Sequence, residues 1–160
     1  MISRERDKTA LYAQDLVPSQ LLCRGVCRAL GDLGYAPLPE FPLASGRRAD
    51  VFALGADGEA LIVEIKSSVE DFRSDRKWPE YQSWCDRFFF AVADHFPLPL
   101  VPEECGLMVA DSWSAVILRD APARRLPGQR RRALTVRAAI TATLRLHRLQ
   151  DPTFLTRTDL

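Results

Sequence analysis

The chain has 160 residues, of which 47% are apolar, and it carries a formal net charge of +1. That length and apolar content allow one domain to bury a substantial core without disulfide or metal staples. No apolar run approaches the roughly 18 residues of a membrane-spanning helix, and no signal-type apolar stretch follows the charged N-terminus. Composition therefore argues against a membrane protein, and we predict a cytoplasmic location.

A helix and a proline-rich strand are the first elements predicted along the chain. Residues 1–17 form a charged N-terminal segment that we expect to be mobile at its start. Ser19 is expected to cap a helix over residues 20–33. Three prolines within residues 36–43 then indicate an edge strand, because proline cannot donate to a central ladder.

Two further strands are predicted to form a hairpin. Residues 48–54 and 60–66 have strand character, and residues 55–59 between them are rich in turn formers. After the hairpin, residues 69–84 indicate one or two helical pieces that are interrupted before Pro79.

The second half of the chain adds strands and a closing helix. Strands are expected over residues 87–92, 107–110 and 115–118, and a helix over residues 135–149. This order predicts a single α/β domain over residues 18–150, with a mixed sheet flanked by helices and a tail over residues 151–160.

Three charged residues on the predicted hairpin are the strongest functional signal in the sequence. Antiparallel pairing brings the start of the first strand near the end of the second, so we expect Asp50 beside Glu64 and Lys66. Two carboxylates suit a hard cation such as Mg²⁺, and an ammonium group can orient an attacking water or offset charge on a phosphate. The trio predicts phosphodiester hydrolysis.

The same trio also fits a surface ion-pair ladder between neighbouring strands. Leu61, Ile62 and Val63 argue against that interpretation, because they indicate a strand buried on both faces. A charge in such a strand is costly unless it has a function. We therefore favour the metal site over the ladder.

The pattern Asp50, then Glu64-Ile65-Lys66, with apolar residues before each acid, resembles the active-site signature of the PD-(D/E)XK nuclease superfamily. A wider resemblance to the MmcB-like family of DNA-repair proteins, within that superfamily, extends over about residues 21–149. It is carried by residues 47–50, 63–72, 75–81 and 85–92. The resemblance implies a restriction-endonuclease-like α/β fold with a mixed central sheet, and metal-dependent cleavage of DNA in repair.

Carried over residue by residue, the resemblance implies that Asp50 and Glu64 bind Mg²⁺, for which Mn²⁺ is a substitute. The backbone carbonyl of Ile65 would be a third ligand, and Lys66 would be the catalytic lysine.

The sequence departs from the superfamily pattern at two places. Ala49 stands where the superfamily name has proline, which carries no chemistry. Many members also add a glutamate from the first helix, where this chain offers only Gln20 and Asp32. Glu40 is a candidate for the missing negative charge.

Positive charge is concentrated near the C-terminus. Residues 119–148 contain nine arginines and one acid, so this segment carries +8 and the rest of the chain −7. An arginine-rich surface attracts a phosphate backbone without reading sequence, although a solvated helix face has the same composition. With the nuclease signature, DNA contact is favoured. The side chains predicted to contact DNA are Arg48, Ser67, Arg76, Lys77, Arg130, Arg131, Arg132 and Arg137.

Several other patterns allow two interpretations each. Trp78, Tyr81 and Trp84 are spaced like a core-packing face, which we favour over base stacking. Ser67 and Ser68 can bind phosphate or cap the next helix, and we favour the cap. On the closing helix, Val136, Ile140 and Leu144 predict an apolar stripe. The four cysteines lack zinc-type spacing, so we expect buried thiols.

Three functions follow in order of preference. The first is a Mg²⁺-dependent DNA endonuclease. The second is a DNA-binding repair accessory protein of the same fold that cuts poorly, and the third is a protein-interaction module. A homodimer and repair-protein partners are both left open.

Overall fold

The computed structural model describes residues 17–153, so most of the predicted N-terminal segment and of the predicted tail lie outside the described residues. The helices are α1 (Pro18–Asp32), α2 (Val69–Ser74), α3 (Trp78–Tyr81) and α4 (Gly128–Gln150), with short 3₁₀ turns at Gln82–Trp84 and Leu98–Leu100. The strands are β1 (Ala36–Pro42), β2 (Arg48–Leu54), β3 (Ala60–Lys66), β4 (Arg87–Val92), β5 (Gly106–Ala110) and β6 (Ala115–Arg119).

The six strands form one mixed sheet whose spatial order is the same as their order in the chain. Strands β1, β2 and β3 pair antiparallel, β3, β4 and β5 pair parallel, and β6 returns antiparallel to β5. The predicted mixed sheet flanked by helices is confirmed. The predicted hairpin is confirmed too, with the bounds expected for both of its strands.

Each face of the sheet packs against its own hydrophobic cluster. On one face, Val26 and Leu30 of α1 lie against Val51, Val63 and Ala91. The other face carries an aromatic cluster under α2, α3 and the start of α4. Strand β3 lies between the two clusters, and all seven of its residues are buried. This burial agrees with the expectation of a strand covered on both faces.

Two helix starts differ from the prediction, whereas the predicted helical break is confirmed. Helix α1 begins at Pro18 with Val17 at its N-cap, so Ser19 lies inside the helix instead of capping it. The break predicted before Pro79 lies between Ser74 and Trp78, and Pro79 is in the first turn of α3, where proline is tolerated. Helix α4 begins at Gly128, seven residues earlier than expected, because its first turns are held by packing that sequence periodicity does not show.

Helix α4 buries a different stripe from the one predicted. Leu134 and Ala138 face the aromatic cluster, whereas Val136 and Ile140 are 51% and 55% exposed. The helix is anchored near its start by Arg131, whose guanidinium donates two hydrogen bonds of 2.7 Å to the buried carboxylate of Asp86. This anchor fixes the rotation of the helix and leaves much of its apolar surface outside the core.

All three aromatic residues predicted to pack in the core do so, with Tyr81 buried and Trp78 and Trp84 half-buried against the aromatic cluster. Trp78 contacts Phe88 and Phe90, and the buried Tyr81 stacks on Phe88. The guanidinium of Arg130 lies 4.9 Å from the ring centroid of Trp84.

The four cysteines are free thiols. Cys85 and Cys105 are buried, as expected, whereas Cys23 and Cys27 on α1 are only half-buried. No helix within residues 17–153 is long and apolar enough to cross a membrane.

Helix α1 approaches the turn between β5 and β6 very closely. A Cβ on Gly25 would lie 2.0 Å from the carbonyl oxygen of Asp111, so only glycine allows this contact. The approach brings Arg24 and Arg28 against the ring of Trp113, each with its guanidinium 4.8 Å from the ring centroid.

Candidate active site

Asp50 and Glu64 meet where the backbone ladder between β2 and β3 ends. The ladder pairs Val51 with Val63, and continuing its register places Asp50 opposite Glu64. Beyond this point, carboxylate oxygens instead of backbone carbonyl oxygens accept the backbone N–H groups. The N–H of Asp50 donates to Oε1 of Glu64 at 3.2 Å, and the N–H of Ile65 donates to Oδ2 of Asp50 at 2.7 Å. The two acids are thus fixed side by side, as the hairpin argument predicted.

Each of these carboxylates keeps one oxygen without a hydrogen-bond partner among residues 17–153. No fully buried side-chain oxygen or nitrogen in this part of the chain lacks a partner. The second oxygens of Asp50 and Glu64 must therefore reach solvent, even though Glu64 is only 4% exposed. The pair is open to a small ion at these two atoms.

Lys66 is buried, but its ammonium group is bound to a partner that sequence analysis did not identify. Its Nζ donates to Oδ2 of Asp75 at 2.6 Å and lies 4.0 Å from Oδ1 of Asp71. Asp75 follows α2, a short helix whose start is capped by the Ser68 hydroxyl. No spacing rule indicates this contact, because it depends on where a six-residue helix ends.

Burial dominates the electrostatics of the site. It raises the pKa of Glu64 to about 8, and the neighbouring negative charge of Asp50 adds to this effect. Burial also raises the pKa of Asp50, although the Ile65 N–H and the Lys66 ammonium oppose the shift. Burial disfavours the charge of Lys66 as well, but the hydrogen bond and charge of Asp75 outweigh it and raise the Lys66 pKa. At neutral pH most Glu64 carboxyls therefore hold a proton, and Lys66 is an ammonium ion.

The surface ion-pair ladder considered from the sequence is not formed within the described part of the chain. Glu64 and Lys66 are 4% and 5% exposed, and Lys66 pairs with Asp75 instead of Glu64 or Asp50.

Glu40 on β1 lies in the same row as Asp50. The β1–β2 register pairs Pro39 with Val51 and Phe41 with Ala49, so Glu40 stands across from Asp50 at an interruption of the ladder. Its φ is +50°, in the left-handed region that is costly for a residue with a Cβ.

Helix α4 holds the distorted backbone at Glu40. The guanidinium of Arg145 donates to the carbonyl oxygens of Pro39 and Glu40. The Glu40 carboxylate points to Arg48 at 3.5 Å. Within residues 17–153 no three His, Cys, Asp or Glu side chains converge closely enough to hold a metal ion. Glu40 is therefore near the acidic pair without completing a three-carboxylate cluster.

A groove of about 1000 Å³ lies beside the site, between α4 and the β1–β2 end of the sheet. Its lining combines positive charge with an apolar floor. The lining arginines are Arg48, Arg132, Arg137, Arg145 and Arg148, and the apolar lining includes Trp84, Val136, Ile140 and Leu144. Arg48 is two residues from Asp50 on the same strand, so one end of the groove adjoins the acidic pair.

The side chains predicted to contact DNA are divided among several environments. Arg48, Arg132 and Arg137 line the groove together. Arg130 covers Trp84 and donates to the carbonyl oxygen of Ser83 at 2.7 Å. Arg131 differs, because its guanidinium is committed to Asp86 in the interior.

The remaining predicted contacts do not line this groove. Arg76 and Lys77 are exposed directly after Asp75. Ser67 lines a second cavity of about 490 Å³. The cap expected of the two serines is confirmed for Ser68, whose Oγ accepts the N–H of Asp71 at 3.1 Å.

Comparisons with known proteins identify the family. The model of the MmcB-like family, described as DNA repair protein MmcB-like, matches residues 12–153. Among solved structures, the SPO1766 protein of unknown function from Silicibacter pomeroyi is 45% identical, with a TM-score of 0.86 over 89% of this chain and 98% of that one. No curated protein matches the sequence. The chain therefore belongs to the MmcB-like family of DNA repair proteins.

Proposed function

We propose that this DNA-repair protein is a metal-dependent DNA endonuclease of the PD-(D/E)XK type. The observation that carries the proposal is the reciprocal pairing of Asp50 and Glu64, each of which accepts a backbone N–H and leaves one oxygen open to solvent. Burial raises the pKa values of both carboxyls, so the fold does not compensate the charge that the pair would carry when ionised. Such uncompensated charge is typical of functional sites.

The residues present fit a hard divalent cation. Asp50 and Glu64 would hold Mg²⁺ or Mn²⁺ through their open oxygens, with the carbonyl oxygen of Ile65 as the third protein ligand. A cation bound there supplies two effects, a lower pKa for a coordinated water and neutralisation of charge on the scissile phosphate.

Lys66 acts in this proposal as a fixed positive charge. Its raised pKa keeps it protonated at neutral pH, so it cannot serve as the base that deprotonates water. The ammonium group, oriented by Asp75, offsets negative charge that develops on the phosphate.

The groove beside α4 is the proposed DNA surface. Its arginines would neutralise backbone phosphates and release counterions, which gives affinity without sequence preference. Because Arg48 belongs both to the groove and to the strand of Asp50, a phosphate bound at Arg48 lies close to the acidic pair.

A second function is favoured by one specific observation. Two carboxylates instead of three, with the lysine held by Asp75, would suit a repair accessory protein that binds DNA and cuts it poorly.

Cleavage and binding assays on the same preparations separate the two functions. Nicked, branched and single-stranded DNA would be incubated with purified protein and Mg²⁺ or Mn²⁺. We expect metal-dependent nicking that is lost in Glu64→Gln and Lys66→Ala, while Glu70→Gln, an exposed glutamate on α2, cuts normally. Salt-dependent DNA binding without cleavage of any substrate would establish the accessory function instead.

The groove is tested by binding alone. Replacing Arg132 and Arg137 with alanine should weaken binding uniformly across sequences and reduce the salt slope by about 0.9 for each phosphate that the variant no longer neutralises. Replacing Arg124 and Arg125 with alanine is the matched control, because it removes the same number of charges from exposed residues that do not line the groove. Equal weakening by the control would place the DNA surface elsewhere.

A further inference from the structure

The two outer strands of the sheet differ in how their free edges are protected. Strand β1 carries prolines at positions 37, 39 and 42, and Arg145 of α4 covers two of its carbonyl oxygens. Strand β6 has no proline, and its residues 115–118 have no charge. Unprotected edges pair readily with other strands, and proteins normally blunt them.

Strand β6 is also apolar and exposed on both of its faces. Val116 is 61% exposed, Ile117 37% and Leu118 54%, and Trp113 just before the strand is 54% exposed. Consecutive strand residues point to opposite faces, so exposure of all three means that neither face is covered there. A bulge leaves Leu118 without a partner on β5 and confines the regular ladder to residues 115–117. A strand added at this edge would be short and would depend on side-chain packing.

Charges at the two ends of β6 are complementary. Before the strand, Arg24 and Arg28 stack on Trp113, and neither has a carboxylate partner within ion-pair distance among the described residues. After the strand, Asp120 pairs with Arg87 of its own chain at 3.0 Å, but its side chain is 70% exposed and so remains accessible to a second cation. Antiparallel pairing of two such strands brings the end of one to the start of the other. The acid of each copy then lies near the cationic stack of its partner.

We propose that β6 is a homodimer interface, in which β6 of one copy pairs antiparallel with β6 of a second copy about a two-fold axis. A second copy supplies an apolar strand of matching length and an acid at the position where the two arginines need one. The same patch serves both subunits, as a two-fold interface requires. The interface lies at the opposite edge of the sheet from β1 and leaves the groove beside α4 open.

The oligomeric state of the full chain tests this interface. Light scattering and analytical ultracentrifugation should give about twice the monomer mass of 18.0 kDa at micromolar concentration. Val116→Lys should raise the dimer dissociation constant at least tenfold, since it places two like charges near the axis. Leu33→Lys, at an equally exposed apolar position after α1, should leave the dimer intact.

Cross-linking tests the pairing directly. Near the two-fold axis Val116 faces the same strand of its partner, so Val116→Cys should form a disulfide-linked dimer under mild oxidation by oxidised glutathione. Leu33→Cys, with 56% exposure against 61%, has similar access to random collision and should cross-link no more than the unmodified chain. A monomeric unmodified chain at 100 μM, a dimer that survives Val116→Lys, or equal cross-linking of the two cysteine variants would each overturn the proposal. None of these results depends on DNA binding or cleavage.

Discussion

Two buried acidic sites in this fold are compensated in opposite ways. Asp86 accepts the N–H groups of Ala60 and Leu126 at 2.8 and 2.9 Å, and both guanidinium nitrogens of Arg131 at 2.7 Å. Burial opposes its charge, but the hydrogen bonds of Arg131 and of the two N–H groups outweigh burial and hold the Asp86 pKa below its usual value. Asp86 is thus fully satisfied by the protein itself.

Asp50 and Glu64 are not compensated in this way by the fold. The nearest cation, Lys66, is bound to Asp75, and the pKa values of both acids are raised. The comparison teaches that burial alone does not distinguish a structural acid from a functional one. What distinguishes them is whether the fold supplies the compensating charge or leaves it to a ligand.

The largest expected effect is the loss of the compensated pair. Asp86→Ala leaves Arg131 half-buried without its partner and removes the anchor of α4, so we expect a loss of about 3–5 kcal/mol in the free energy of unfolding. Urea denaturation measures it. Asp120→Ala, which removes an exposed acid bound to Arg87, should cost less than about 1 kcal/mol. Similar losses for the two variants would mean that burial adds nothing to the Asp86 contact.

The uncompensated pair, Asp50 and Glu64, should lower the free energy of unfolding, and this effect should depend on pH. Between the ordinary Glu64 pKa of 4.5 and its folded value of about 8, the folded protein holds a proton that the unfolded chain has released. Glu64 should therefore lower the stability as pH rises through this window, by up to about 1.4 kcal/mol per pH unit, with no further loss above it.

Glu64→Gln tests this pH dependence, because glutamine keeps the acceptor for the Asp50 N–H but cannot ionise. Denaturation curves at pH 5 to 9 should show a flatter profile for the variant and a higher stability than the unmodified protein at pH 9. Parallel profiles would contradict the assignment of the raised pKa to Glu64.

The sequence was sufficient to predict the hairpin and the contact it creates. Turn formers over residues 55–59 and apolar strands on either side set the register, and register alone brings Asp50 to Glu64. Local spacing decides such a contact, so it can be inferred without coordinates. The mixed sheet follows from the same order of elements.

Contacts that depend on where a helix ends or how it is rotated could not be predicted. Composition cannot separate Arg131, which is bound to Asp86, from its neighbours on the same basic helix. Sequence spacing does not identify Asp75 as the partner of Lys66, because the end of a short helix sets its position. In both cases a charge is paired across the fold by tertiary packing.

A bound metal ion should supply the positive charge that the fold does not provide at the acidic pair. Mn²⁺ at a hundredfold excess over its dissociation constant should stabilise the folded protein by about 2.7 kcal/mol. Because the proton on Glu64 must leave first, stabilisation at a fixed Mn²⁺ concentration should be stronger at pH 8 than at pH 6. Thermal denaturation with and without Mn²⁺ measures it. Glu64→Gln and Asp50→Asn should lose the shift and Glu70→Gln should keep it. A shift that persists in both site variants would place the cation elsewhere.

The smallest expected effect concerns Lys66, which is bound to Asp75 and also interacts electrostatically with Glu64. Asp75→Asn keeps an acceptor oxygen for Lys66 but removes the charge that competes with Glu64 for its ammonium group. The Glu64 pKa should then fall, and the upper limit of the pH window in the stability profile should move down by about one unit, worth about 1.4 kcal/mol. Asp71→Asn is the matched control, because that carboxylate is 46% exposed and lies 4.0 Å from Nζ, so its removal should move the limit less. An unchanged window in Asp75→Asn would mean that Lys66 does not compensate Glu64 even when it is released, and the buried acids would then depend on a bound cation alone.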